Sequence, residues 1–486
     1  MSSKRLLPLV LILLILGVLA VWLKREQPSS RLAEEVGLER LLPTTFRAEA
    51  VSGIELSLGT QPEDVVRLRK HEGNWVLPSR FEAPGNSTKI QQLLAQLSSL
   101  EGELRADSPA LLEDFQLKDD QALSLKLYTD HAKTPALTLL VGKTSGNNSF
   151  MRRSGDTKVY AVNLNVQTLA GLSSTSSAQS LTAKPWLDLR LQNVPREQIT
   201  AVELQAPTRT LRFTTSPAAT NQAAPPAWTL AEPVLSYSVK SEAVESLVTT
   251  LRTIQGDDVV DPANLVSYGL EAAPYRAVLV LQGSAQEAQQ VTLLIGTEVP
   301  EKHGSRYARL SSGGPVYVLP QWTWQRLFPT LGTLLDLRLL QVSEDEVVQV
   351  AFQQDGETWE VARDTTEVAS TWHLVGDTEA TLDETTLHTL LGTLTQLSAE
   401  DLPAVPPVST GLEQPALQIT LTLRDGRTAP LLLGQAISPE GGGYYASRGN
   451  TSEVAIVSAS MQRTLTDAVT RLKPGAPAPE KSRVIP

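Results

Sequence analysis

Trp228-Thr229-Leu230 is followed by the stripe Val244, Leu247, Val248, Leu251, Ile254, then by Tyr268-Gly269-Leu270 and Leu293-Leu294-Ile295-Gly296. The reading of the whole chain turns on this stretch, because its landmarks occur three times in one order. The tryptophan recurs in Trp75-Val76-Leu77 and Trp372-His373-Leu374. The stripe recurs as Ile90, Leu93, Leu94, Leu97, Leu100 and as Leu387, Leu390, Leu391, Leu394, Leu397. All three stripes run i, i+3, i+4, i+7, i+10, the spacing of one apolar face of an α-helix. The triplet recurs as Phe115-Gln116-Leu117 and Thr410-Gly411-Leu412, and the apolar run to glycine as Leu139–Gly142 and Leu431–Gly434.

Further landmarks keep the register. An aromatic residue stands near an arginine at Phe150/Arg152, Tyr307/Arg309 and Tyr445/Arg448. Apolar strand cores follow at Val159–Val162, Val316–Leu319 and Val454–Val457. Upstream, Ile54-Glu55-Leu56, Val202-Glu203-Leu204 and Val350-Ala351-Phe352 open the copies, and each follows a leucine (Leu41, Leu189, Leu337) by the same interval. Internal repetition at a fixed period is read before any motif. The expected fold class is α+β: an N-terminal single transmembrane helix, then three tandem β-rich repeats, each with one amphipathic helix packed on a sheet. The domains expected are an anchor over residues 1–26, a linker over 27–40, repeats over 41–185, 186–334 and 335–473, and a Pro-rich disordered tail over 474–486. Leu187-Asp188-Leu189-Arg190 and Leu335-Asp336-Leu337-Arg338 mark the boundaries, and Asp188/Arg190 and Asp336/Arg338 are expected to lock each junction structurally, as by an ion pair fixing neighbouring copies. Ser173–Ser180 and the insertion over 216–227 read as loops, and Thr381 with Glu384 as a capping box.

The chain has 486 residues, too many for one compact core, and a formal charge of −11. Four bases and no acid fall in the first 25 residues, so the remainder is more acidic still. That sign excludes a nucleic-acid binder. With no cysteine there is no disulfide, thiolate metal site, cysteine nucleophile or lipoprotein anchor. Leu6 to Leu23 is an apolar run that reaches about 27 Å as a helix. No small-x-small cleavage site follows it, so it reads as an uncleaved anchor in the inner membrane rather than a signal peptide.

Each candidate for reactive chemistry has a plainer reading. The histidines (His71, His131, His303, His373, His388) occupy no common landmark and lack metal-ligand spacing, so they read as solvated surface residues. Gly142-Lys143-Thr144 has Leu137 where a phosphate loop needs glycine, so Gly142 reads as the end of a strand. Asp257-Asp258 with Asp261, and Glu344-Asp345-Glu346, lack the alternation of an oxygen-ligand loop and read as solvated turns. The aromatic/arginine pairs read as core-facing rings with solvent-facing bases. No residue is assigned to catalysis, cofactor binding or metal binding, and no cofactor is expected.

The ordered set Trp-x-Leu, Tyr-Gly-Leu, apolar run to glycine, Tyr-x-Arg and Val-Tyr-x-Val resembles the domain of unknown function 4340 family over residues 41–473. The second copy fits best (Trp228, Tyr268-Gly269-Leu270, Gly296, Tyr307-Ala308-Arg309, Val316-Tyr317-Val318), whereas Phe115 and Thr410 depart from the pattern. The resemblance implies a membrane-anchored auxiliary component beside an exporter-type ABC transport system of the gliding-motility kind. It carries over no catalytic residue. The expectation is therefore a non-enzymatic scaffold subunit, single-pass, with its large C-terminal part in the bacterial periplasm and a transport protein as partner. The alternative is a periplasmic module that binds glycan, peptide or lipid in grooves between copies; a periplasmic hydrolase is the remaining reading.

Overall fold

The computed structural model describes residues 37–475 except 60–64, 173–180, 216–226, 283–288, 365–370, 378–380, 405–406, 439–441 and 450. The expected anchor over 6–23, most of the linker over 27–40, the Ser173–Ser180 connection, all but the last residue of the insertion over 216–227 and nearly all of the Pro-rich tail lie outside the described residues. Among the described residues no helix is long and apolar enough to cross a membrane.

Each of the three copies has its own antiparallel sheet, and the three sheets share one strand order. In the second copy, seven strands stand in the order Val316–Leu319, Arg306–Leu310, Gln290–Glu298, Tyr275–Leu281, Ile199–Ala206, Arg209–Thr215, Trp228–Glu232, with an eighth, Asp258–Val260, at the edge beside Val316–Leu319. If the first seven are lettered in chain order, this is g-f-e-d-a-b-c, two meanders joined where d lies beside a. The third copy repeats that order, from Ala455–Val457 to Trp372–Leu374. The first also repeats it, then adds Ala83–Pro84 at one edge and Glu101–Asp107 with Leu38–Arg40 at the other.

The helix sits between strands c and d, where the chain must cross from one meander to the other. It is Ser87–Ser98, Ser241–Arg252 and Glu384–Gln396 in turn. All fifteen stripe residues are buried, as are Trp75, Trp228 and Trp372 at the third strand of each copy. The third helix is capped by Asp383, whose carboxylate accepts from the Thr386 N–H, and not by Thr381. Asp383 stands at the N-cap position, one residue before the helix, whereas Thr381 lies two residues further out.

The expectation of one helix per copy is corrected, except that Trp322 to Leu335 in the second copy already reads from the sequence as a short helix-like stretch. Each last strand is followed by a second helical segment: Val166–Leu169, then Gln321–Leu327 with Leu331–Leu334, then Ala459–Arg471. The last presents only Leu465 and Val469 as buried residues, too narrow a stripe to stand out in the sequence.

The described residues divide into two compact units. The first ends at Leu189 and also takes in Asp257–Ala263 and Gly314–Tyr317. The second holds Arg190–Gly256, Asn264–Gly313 and the chain from Val318 onward. The second unit therefore holds most of copy two together with copy three.

Candidate functional site

The landmark triplet and the landmark glycine form one device. Gln116, Gly269 and Gly411 all adopt positive φ (55, 65 and 68°). The left-handed turn swings the carbonyl of Phe115, Tyr268 or Thr410 onto the strand below, where it accepts from the N–H of Lys143 (2.8 Å), Thr297 (2.9 Å) or Gln435 (2.9 Å). Each donor follows the landmark glycine. A Cβ on Gly142, Gly296 or Gly434 would approach that carbonyl oxygen closer than 3.0 Å. The glycine is thus required by a main-chain approach. It does not end a strand, because the strands run on as Leu137–Ser145, Gln290–Glu298 and Thr428–Ala436, and the pairing register shifts just past each glycine.

The boundary motif is a strap. Within the first compact unit Leu187 bridges Gly85, and the Asp188 N–H donates to the Pro84 carbonyl (2.8 Å). Within the second, Arg190 bridges Gln255 and the Leu191 N–H donates to Ile254 (2.9 Å). The other motif repeats both halves: Leu335 and Asp336 pair with Val239 and Ser238, Arg338 bridges Ser398, and the Leu339 N–H donates to Leu397 (2.9 Å). The first copy opens the same way, with Arg40 opposite Glu101 and Leu41 donating to Leu100 (3.2 Å). By these bonds Leu41 matches Leu191 and Leu339, two residues beyond the leucines matched by sequence interval. The Asp336–Arg338 ion pair (2.5 Å) forms inside the motif rather than across to a neighbouring copy. The Arg338 guanidinium holds the Asp336 carboxyl below its ordinary range.

Two clasps tie consecutive copies. In the first compact unit the Arg80 guanidinium meets the Asp258 carboxylate and donates to the Val259 carbonyl (2.9 Å). In the second, Arg209 donates to the Asp401 carboxylate (2.9 Å) and the Leu402 carbonyl (2.6 Å). Both aspartates also accept from the next residue's N–H at 2.8 Å. Asp258 and Asp401 each lie four residues after the end of the stripe, where the first copy has Leu104. The solvated-turn reading of Asp257 and Asp258 is therefore corrected: Asp258 carries Arg80, and Asp257 carries Lys184 (2.6 Å). Such charge-assisted bonds contribute ~1.5–3 kcal/mol each when partly shielded.

A further tie in the second compact unit joins Ser236 and Tyr237 to Arg448 and Glu453. The Ser236 N–H and hydroxyl both donate to Glu453 (2.5 Å), and the Arg448 guanidinium lies 4.3 Å from the Tyr237 ring centre. Burial pushes the Glu453 carboxyl up, but the bonds from Ser236 and Arg448 outweigh it and hold it below its ordinary range. Burial pushes the Tyr237 hydroxyl up. Beside this tie opens a cavity of ≈ 450 Å³ floored by Leu339, Leu340 and Leu423, with Arg427 and Arg448 at its rim. Both rim bases already have carboxylate partners, Asp425 and Glu453.

The aromatic/arginine pairs do not put rings inward and bases outward. Residues two apart on a strand share a face. Arg152 is itself buried, donating to the Leu117 carbonyl (2.9 Å) and pairing with Asp119 (2.5 Å). Phe150 and Tyr307 are half-buried and packed on the triplet aromatics Phe115 (4.7 Å) and Tyr268 (4.1 Å). Strand pairing sets Arg152 opposite Leu140, Arg309 opposite Leu294 and Ser447 opposite Leu432, so Ser447 and not Arg448 is the third member. His388 and Glu344 pair at 2.7 Å on the surface, and the Glu346 carboxylate accepts from the Ser343 N–H and hydroxyl. Among the described residues no group of three potential ligands that could hold a metal ion occurs.

Three segments of the chain, residues 75–236, 228–410 and 372–472, match the family described as Domain of unknown function (DUF4340). They span most of the chain, and the protein belongs to this family. Each segment begins on a landmark tryptophan. The matched span therefore starts at the third strand of one copy and, in the first two cases, runs through the strap into the opening strands of the next. No curated protein and no solved structure matches the chain.

Proposed function

We propose that this protein is a non-enzymatic scaffold subunit of an envelope transport complex. Residues 6–23 hold it in the inner membrane and the three copies stand in the periplasm. The observation that carries the reading is the repeated clasp: aspartates at one register position, Asp258 and Asp401, each take an arginine together with the following carbonyl. These polar side chains hold consecutive copies together, which is the use a spacer or docking arm makes of them. The acidic balance and the absence of cysteine accord with an exported, non-redox role.

Full-length tagged protein purified from native membranes should bring down a transport permease or ATPase reproducibly; recovery of the protein alone would contradict the proposal. Location is tested separately. The chain has no cysteine, so Val408→Cys, at a fully exposed position, gives a single reporter. A membrane-impermeant maleimide should label it in intact spheroplasts, and labelling only after lysis would place the copies on the other side.

A further inference from the structure

The outer faces of the three sheets differ at one register position. Glu55 in the first copy lies between Arg67 and Lys126, pairing with both at 2.9 Å. Glu203 in the second stands between Arg212 and Val278. The third copy has Ala351 there, between Glu360 and Thr420. Loss of the long side chain opens a groove of ≈ 450 Å³ on the face of the sheet, floored by Ala351 and walled by Gln353, Gln418, Thr358, Thr420 and Glu360. Its lining includes no lysine or arginine. Val375, 47% exposed, adds an apolar wall.

From this lining we propose that the groove binds a neutral oligosaccharide. Carboxamides and hydroxyls offer donors and acceptors to sugar hydroxyls, Glu360, which already accepts from Gln349 (2.7 Å), has a second oxygen to accept from one more, and Val375 meets the C–H face of a ring. A peptide strand suits the site less well. The main chain beneath it is already paired, Gln353 with both Thr358 and Gln418, so no ladder is open to an added strand. The groove lies within one copy, not between copies, and the inference does not rest on the scaffold role.

The test is calorimetric titration of the full chain in a sugar-free detergent with chitotetraose, cellotetraose and maltotetraose. At least one should bind with Kd between ~10 μM and ~1 mM. Ala351→Gln fills the floor without adding charge and should weaken binding at least ~10-fold with Tm unchanged. Should that variant lose stability, Gln418→Ala decides, with an expected loss of about 5-fold. No heat from any of the three sugars at ~10 mM, wild-type affinity in both variants, or equal binding of a Ser/Asn tetrapeptide would overturn the assignment.

Discussion

The second and third copies repeat each other in main-chain contacts and differ in side-chain contacts. Tyr268 and Thr410 have nothing in common as side chains, yet their carbonyls accept from Thr297 and Gln435 at the same 2.9 Å. At the helix the opposite holds. Arg196 in the second copy forks onto Glu245 (2.6 and 2.7 Å); at the same two positions the third copy has Glu344 facing His388 (2.7 Å), with the polarity reversed. The outer faces diverge likewise, Glu203 against Ala351. The lesson is that the backbone device defines the building block, while side chains on its surface were free to become ties or a groove.

That contrast predicts a graded series. Substituting Gly296 by alanine forces a Cβ onto the Tyr268 carbonyl, which is backbone and has nowhere to go, so the cost should exceed ~3 kcal/mol in thermal or denaturant unfolding. A cost below ~1 kcal/mol would mean that the turn is not held as described. Next comes Arg209→Ala, which removes the guanidinium from Asp401, leaving it only the Leu402 N–H, and the donor from the Leu402 carbonyl, and should cost ~1–3 kcal/mol.

Smaller is the contribution of the Glu245 pair. Hydrogen bonds from Arg196 lower the Glu245 carboxyl most, with a further bond from the Trp228 indole (3.0 Å). A carboxyl held low in the folded state contributes its stability above the ordinary Glu value and loses it as pH falls through the folded value. Glu245→Gln should therefore remove ~1 kcal/mol near neutrality and flatten the acid limb of stability below about pH 4.3. An unchanged acid limb would show the pair to be idle. Smallest and opposite in sign is Gly392→Ala. This glycine lies inside the third helix, with no atom within 4 Å of an added Cβ, so alanine should stabilise by ~0.5–1 kcal/mol.

Much of the fold was legible because it was written three times. The stripes and tryptophans announced a helix laid on a core, and every stripe residue is buried. The glycines are visible in the sequence but their role is not, and Gly142 reads there as a strand end: a chain approach from another element leaves no mark beside Gly142 or Gly296 except the glycine itself. The clasps were half legible. Asp258 and Asp401 share an offset from the stripe, and comparing copies at that offset would have singled them out. Their partners would not have been found, since Arg80 follows a third strand and Arg209 begins a second strand. Arginines drawn from unlike places in the block leave no period to detect. The helix Ala459–Arg471 escaped because only Leu465 and Val469 in it are buried.

Amide hydrogen exchange on the full chain most directly tests whether one backbone device builds all three copies. The N–H groups of Lys143, Thr297 and Gln435 should exchange slowly together, each protected by the carbonyl of its turn. Exchange at the unprotected rate at any one of the three, with neighbouring strand amides still protected, would contradict the account.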